Sequence, residues 1–192
     1  MYRSIFDDSM WLVNLTENLL SITRIENGTL PLRRDAEMIG DIFHEALSHV
    51  DRRAAEHEIR VELEDDMLMA NMDARLIVQV IINIVNNAVK YTPEGSDICL
   101  SAKKENSMVR IEIADNGPGI SDEAKQRLFD MFYTVNTGSA GADSRRGLGL
   151  GLSLCKSIVE AHSGSITVHD NQPHGSVFSF TLPLEEVKIQ NV

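Results

Sequence analysis

The sequence predicts a single α/β domain with one helical element in front of it. Three observations lead there. A chain of 192 residues, 43% hydrophobic and 24% charged, is long enough to bury one sizeable core. Its apolar residues recur at three and four in some segments, which is the helical spacing. In others they alternate at two, the strand spacing. The charge bounds the partners: 18 Lys and Arg against 29 Asp and Glu give a formal net charge of −11. That excess repels the phosphates of nucleic acid and the anionic face of a membrane, so neither partner is expected.

No stretch approaches the roughly 18 apolar residues of a membrane span, and Met1–Asp8 lacks the basic-then-apolar layout of a signal peptide. A soluble chain is expected. Cys99 and Cys155 stand singly in apolar-patterned segments with no C-x-x-C pair. Two buried thiols in a reducing, cytoplasmic setting are therefore expected rather than a disulfide or a zinc site.

Taken in order, Leu12, Leu15, Leu19, Ile22 and Ile25 form one apolar stripe of a helix that runs to about Glu26, with Asn27-Gly28 as its stop. The spacing places this helix as a leading arm, outside the compact interior and paired with another helix. A second helix is expected from about Glu37 to Ala55, then strands near Glu58–Glu64 and Leu68–Asn71. Asp73 caps a strongly periodic helix, Ala74–Lys90, which ends at the turn Thr92-Pro93-Glu94-Gly95. Alternating runs at Asp97–Lys103 and Met108–Ala114 read as a hairpin. A short helix follows near Ser121–Phe129, and then a small, polar, unpatterned loop over Thr134–Ser144. A Gly-rich turn leads into a helix at Leu150–His162, and strands at Ser165–His169 and Ser176–Pro183 close the chain.

Three of these segments carry residues suited to chemistry. Asn83, Asn87 and Lys90 lie four and three apart and project from one side of the Ala74–Lys90 helix. Amide oxygens and an ammonium on one stripe suit a hydrated Mg²⁺ with its phosphates; the alternative is a solvated polar face. Asp115-Asn116-Gly117-Pro118-Gly119-Ile120 follows directly on an apolar strand. Its glycines let backbone approach a flat ligand, and its carboxylate can accept from an amino group such as adenine's; the alternative is an ordinary Pro-Gly turn. Gly147-Leu148-Gly149-Leu150-Gly151-Leu152 opens a helix, where free N–H groups attract phosphate. No G-x-x-x-x-G-K-[ST], G-x-S-x-G or H-E-x-x-H occurs, which excludes the P-loop, the serine-hydrolase elbow and the zinc-protease helix.

Together and in this order the segments resemble the boxes of sensor histidine kinases of two-component systems. Asn83-Ile84-Val85-Asn86-Asn87-Ala88-Val89-Lys90-Tyr91-Thr92-Pro93 resembles their N box, and Asp115 to Ile120 their first glycine box. Phe129-Asp130-Met131-Phe132 resembles their F box and Gly147 to Leu152 their second glycine box. Leu19 to Gly28 is similar to the end of the family's dimerisation hairpin. Asn18 to Ile25 and Phe132 to Val135 are most similar to the potassium-responsive, Kdp-type members.

The resemblance implies the Bergerat ATP-binding fold, a two-layer α/β sandwich with helices on one face of a mixed sheet. Residues 1–30 would be the second helix of the hairpin and residues 31–192 the catalytic domain. It implies ATP and Mg²⁺ as cofactors. Asn87 would bind Mg²⁺, Asn83 would support the phosphate side and Lys90 would contact phosphate. Tyr91 would lie against the nucleotide and Asp115 would take the adenine amino group, with Gly117, Gly119 and Ile120 beside the base. Phe132, Leu148 and Leu150 complete the set. Gly147, Gly149 and Gly151 would anchor a lid spanning roughly Tyr133–Arg146, and either Arg145 or Arg146 would face phosphate.

The family's phosphoacceptor His-Glu belongs on the first hairpin helix. His44-Glu45 does not match it: it follows the hairpin remnant and has His49 where the usual Pro would stand. The chain thus resembles a fragment that binds Mg-ATP without its acceptor helix, cut from the cytoplasmic part of a membrane-anchored kinase. That kinase would be a homodimer that relays phosphate to an aspartate of a response-regulator receiver domain. The rivals are a self-standing ATPase of the same superfamily, an anti-sigma-type serine kinase, or a non-catalytic nucleotide-sensing module. Two scaffold positions depart from the family: His162-Ser163-Gly164 stands for His-Gly-Gly, and Gly175-Ser176-Val177-Phe178 closes the pattern near the C-terminus. The acidity is uneven, with 7 basic and 15 acidic side chains in residues 1–72 but 11 and 14 in residues 73–192.

Overall fold

The computed structural model describes residues 13, 16–25, 27–28, 31–134 and 149–185. The leading helix, α1, is seen at residues 13 and 16–25 and stops as its sequence requires. Gly28 takes a φ of +63°, and the Asn27 and Gly28 N–H groups donate back to Thr23 and Ile25 carbonyls. Its stripe is divided. Ile22 is 1% exposed and belongs to the main core, with Ile25 packed against it, whereas Leu19 and Leu20 are 42% and 53% exposed. The expectation of an arm wholly outside the interior is corrected at Ile22 and Ile25; Leu12 and Leu15 lie outside the described residues.

The helix expected over Glu37–Ala55 divides into three elements: strand β1 at Asp35–Met38, helix α2 at Ile39–Ser48, and a 3-10 turn at Arg52–Glu56. Two non-local contacts explain the difference. β1 pairs antiparallel with β3, Met69–Met72, a partner that local periodicity does not reveal. Asp51 caps the 3-10 turn through the Arg53 N–H, while its own N–H donates to the Asn86 amide at 2.9 Å.

β2, Glu58–Leu63, runs parallel to β4, Asp97–Glu105. β4 and β5, Met108–Asp115, form the expected hairpin, with Ile98 opposite Asp115 and Leu100 opposite Ile113. β7, Ser176–Glu185, pairs antiparallel with β5 on one side and with β6, Ile166–Asp170, on the other. The result is a seven-stranded mixed sheet in the order β1-β3-β7-β5-β4-β2, with β6 added on β7.

One face of that sheet is apolar by strand alternation: Ile98 and Leu100, Ile111 and Ile113, Phe178 and Phe180 are all buried. The helices cover it. Helix α3, Ala74–Tyr91, contributes Ile77, Ile81, Ile84 and Ala88, and α5, Gly151–Ala161, contributes Leu154, Ile158 and Val159 to the same cluster. The short α4, Asp122–Arg127, is capped by Ser121. Cys155 is buried as expected, but Cys99 is only half-buried, on the outer face of β4.

A buried histidine fastens the helix layer. His162, 0% exposed, caps the C-terminus of α5 and accepts from the Asp73 N–H at 3.0 Å through Nε2, while its Nδ1 donates to the Ile158 carbonyl at 2.7 Å. A carbonyl only accepts, so the ring is neutral with its proton on Nδ1. Burial, the largest influence, and the nearby Arg34 hold its pKa below the ordinary 6.5. The next residue, Ser163, has a φ of +64°. This is the left-handed conformation that the glycine of the usual His-Gly-Gly turn would adopt without cost.

Two outcomes follow for stability. Because the folded-state pKa of His162 is depressed, its contribution is present above pH 6.5 and is lost as pH falls from there through the lower folded-state value. Thermal melts should therefore show His162→Gln well below the parent at pH 8, with the gap narrowing toward pH 5; a gap independent of pH would refute this. Ser163→Gly should stabilise the chain by roughly 1 kcal/mol in urea denaturation by relieving the left-handed backbone, and a destabilised variant would contradict it.

Candidate nucleotide site

Helix α3 serves core and site at once. Its apolar face packs on the sheet, and the opposite stripe carries Asn83 and Asn87, both half-buried, and the exposed Lys90. Asn83 lies where α3 meets the start of α5: a Cβ placed on Gly151 would stand 3.9 Å from its Cγ. It also neighbours the Cys155 thiol, whose pKa burial pushes up to about 12 and which therefore stays neutral. The Asn83 Nδ2 is buried and has no hydrogen-bond partner among the described residues. A buried donor left unpaired costs about 1–3 kcal/mol, so this one calls for an acceptor from elsewhere. Asn86, by contrast, is scaffold, spent on the Asp51 N–H.

The first turn of α5 faces the same region. Among the described residues no side chain caps it and no acid lies in its first turn, so its N–H groups and dipole suit an anion. Leu150, 1% exposed, anchors the turn beneath. Gly149 accepts from the Phe132 N–H at 3.0 Å, which ties the F-box segment to the second glycine box. Phe132 itself is 59% exposed, and Arg127 lies over the Tyr133 ring at 4.7 Å. Arg145, Arg146, Gly147 and Leu148, with most of the expected lid, fall outside the described residues.

Asp115 ends β5 at 7% exposure. Its Oδ1 accepts from the Gly117 N–H at 2.9 Å and the Ser176 N–H at 3.3 Å. Burial raises its pKa above the usual carboxylate value, and these two hydrogen bonds only partly offset that. Its Oδ2 takes no hydrogen bond from the described residues, so a ligand donor can be received there. Gly117 has to be glycine: a Cβ there would lie 2.6 Å from Thr92 Cγ2 and 2.9 Å from Asp115 Oδ1. Gly119 turns the chain with a φ of +79°, and Ile120 packs on the core.

On the outer side of Gly117 opens a cleft of about 640 Å³, walled by Lys90 to Ser96, Asn116 to Pro118 and His174. The Lys90 Nζ sits 4.9 Å from the centroid of the half-exposed Tyr91 ring, a cation–π contact at the cleft wall. The structure thus brings Lys90, Tyr91 and Gly117 into one cleft with Asp115 directly behind, and places Asn83 against the α5 start.

Residues to which the resemblance gave no role line the site as well. Thr92 donates its hydroxyl to the Ala88 carbonyl at 2.8 Å and lies 3.0 Å from His57 Nε2, so His57 steadies the wall behind Gly117. His174 Nδ1 is 3.3 Å from the Gly117 carbonyl. In the sequence Thr92 reads as a turn residue, and His57 and His174 as structural or surface histidines.

Comparison with known proteins identifies the arrangement. The sequence model of the histidine kinase-, DNA gyrase B-, and HSP90-like ATPase family matches residues 72–186. The chain belongs to that family. It is 40% identical over 185 residues to the sensor protein KdpD of Clostridium acetobutylicum, covering 96% of this chain and 20% of that protein, so it spans about a fifth of that relative's length. Among solved structures, the catalytic domain of histidine kinase ThkA shares 27% identity at a TM-score of 0.68, over 79% of this chain and 95% of that one. Full-length ShkA, solved in complex with AMPPNP, shares 25% identity at a TM-score of 0.80, over 95% of this chain and 38% of that one. The sensor-kinase resemblance, the mixed-sheet fold and an ATP-binding catalytic domain stand on these findings.

Gly117 offers a direct probe. Gly117→Ala should displace the Asp115 carboxylate and weaken adenine-nucleotide binding about tenfold or more. Adding Thr92→Ser, which removes the nearer clash, should recover part of the loss in the same titration.

Proposed function

We propose that this chain is the catalytic part of a sensor histidine kinase that transfers the ATP γ-phosphoryl group to a histidine on a dimerisation hairpin, for relay to a response-regulator aspartate. The observation that carries the reading is the meeting of the α3 polar stripe with the uncapped start of α5 at Asn83 and Gly151. An amide beside the N–H groups of a helix start, with Lys90 further along the same stripe, suits a polyphosphate chain. The AMPPNP held by ShkA supports ATP as the ligand class.

In this reading Asp115 Oδ2 accepts from the adenine amino group, Gly117 and Gly119 let the base approach, and Tyr91 lies along it. Lys90 and the α5 N–H groups hold phosphate, and Arg145 or Arg146 adds a cation from the lid. Asn87, whose amide has no hydrogen-bond partner among the described residues, is the Mg²⁺ ligand, with Asn83 beside it; a hard amide oxygen suits that ion. When bound, Mg²⁺ offsets the negative charge of the β- and γ-phosphates. The acceptor-histidine nitrogen attacks the γ-phosphorus in line, the N–P bond forms as the bond to the β,γ-bridging oxygen breaks, and ADP leaves. The residues of this chain contribute positioning and charge.

Residues 1–30 are assigned to the hairpin and residues 31–192 to the catalytic domain, with the exposed Leu19 and Leu20 facing a hairpin partner in a homodimer. No helix among the described residues is long and apolar enough to cross a membrane. We place this part on the cytoplasmic side of a membrane-anchored, Kdp-type sensor.

Calorimetric titration of ADP with and without Mg²⁺ tests the site. Asp115→Ala should lose about tenfold or more in affinity under both conditions, and Asn87→Ala should lose mainly the part that depends on Mg²⁺. If both variants bind like the parent, the site is misassigned. With labelled ATP and a separately supplied hairpin, acid-labile phosphate should appear on the hairpin; steady release of free phosphate without transfer would favour an ATPase instead.

A further inference from the structure

The carboxylate that ends β5 is held from a segment outside all four boxes, the turn at residues 171–175 between β6 and β7. Asn171 lies at its start, half-buried. Its Nδ2 donates to the Asp115 carbonyl at 2.8 Å, and its Oδ1 accepts from the Gln172 N–H at 2.9 Å. Its own N–H donates to the Gly175 carbonyl at 3.1 Å, closing the turn. Gly175, with a φ of +114°, brings backbone so near that a Cβ there would stand 1.9 Å from the Asp115 carbonyl oxygen. Ser176 then supplies the N–H at 3.3 Å to Asp115 Oδ1. The turn therefore holds Asp115 at its carbonyl through Asn171, and the first residue of β7, Ser176, holds its carboxylate.

That grip has a chemical consequence. Oδ1 is engaged by the N–H groups of Gly117 and Ser176, which leaves Oδ2 to meet a ligand. Which way Oδ2 points depends on how the Ser176 N–H is registered against the end of β5. The β5–β7 ladder pairs Asp115 with Ser176, and Asn171 pins the last peptide of that ladder, being the only side chain among the described residues that hydrogen-bonds the Asp115 main chain. Asn171 is not among the residues that wall the cleft, and its effect passes through the Asp115 peptide that it holds.

We infer that Asn171 is a positioning residue for base recognition: by holding the Asp115 carbonyl it orients the carboxylate that receives the 6-amino group of an adenine nucleotide. The inference rests on the nucleotide reading of the Asp115 site. It deepens that reading, because purine selectivity then depends on a turn of the sheet as well as on the first glycine box. A 6-oxo purine presents an acceptor to the same carboxylate and loses the contact.

The test compares ADP with inosine diphosphate, which differs at that group, by titration against the parent chain, Asn171→Ala, Asn171→Asp and Asp115→Ala, with a thermal melt of each. The parent should prefer ADP, and Asp115→Ala should abolish the preference. Asn171→Ala should weaken ADP about fivefold, the size of one hydrogen bond, and leave inosine diphosphate nearly unchanged, so the ratio falls. Asn171→Asp keeps the acceptor for the Gln172 N–H but removes the donor, and should lower the ratio likewise; it carries the comparison if the alanine variant fails to melt cooperatively. An unchanged ratio, or an equal loss for both nucleotides, overturns the positioning role. A parent chain without preference for ADP instead refutes the reading of Asp115 itself, and the inference with it.

Discussion

Both helices that border the candidate site are fixed in phase by one buried knot. Asp73 caps α3 through the Leu76 N–H, accepts from the Arg33 N–H at 3.1 Å, and donates its own N–H to His162 at the end of α5. The arm segment, the start of α3 and the end of α5 thereby meet in a space that excludes water, where every polar atom must be paired. Arg34, hydrogen-bonded to the Ala161 carbonyl, closes the same corner. Were α3 to rotate by one residue, about 100°, its amide stripe would swing away from α5 and its apolar stripe away from the sheet. The knot forbids this, and so the geometry at Asn83 and Gly151 is inherited from a contact at the far ends of their helices.

The acidic charge gains its meaning from this arrangement. A protein of net charge −11 does not gather polyphosphate by its overall field. Under the proposed function it relies on local devices: the N–H groups at the start of α5, Lys90 on the last turn of α3, and an amide stripe that is neutral and adds no repulsion. The cost is visible at Asn83, whose buried amide nitrogen lacks a partner among the described residues, and at Asp115, whose carboxylate is buried against its preference for water. Both are unfavourable in the protein alone, and under the proposed function a bound nucleotide relieves them by supplying an acceptor to one and a donor to the other.

Much of this was legible in the residues. The α3 periodicity, the Asp73 cap, the β4–β5 hairpin and the clusters at Asn83–Lys90 and Asp115–Ile120 all express local rules, and the structure places them within a residue or two of where those rules put them. What escaped was non-local. β1 was absorbed into a helix because its pairing with β3 lies more than thirty positions away in register, from Asp35 to Met72. Ile22 was assigned to a free arm because nothing in its own segment says that the core will reach it. His57 and Asn171 carry no motif, and the contacts that give them a role, His57 to Thr92 and Asn171 to Asp115, join residues distant in sequence.

The sequence by itself thus determined which groups are available: an amide and ammonium stripe on one helix, a carboxylate at a strand end, and glycines beside them, since spacing along a helix or at a strand end follows from local geometry. Only the tertiary structure decided how those groups are aimed. It chose Oδ2 of Asp115 as the free oxygen by engaging Oδ1 from two segments, set the α3 stripe against the start of α5, and turned Ser163 into a left-handed joint. Orientation is a property of contacts between segments, and chain closure through a buried histidine and a seven-stranded sheet supplies those contacts.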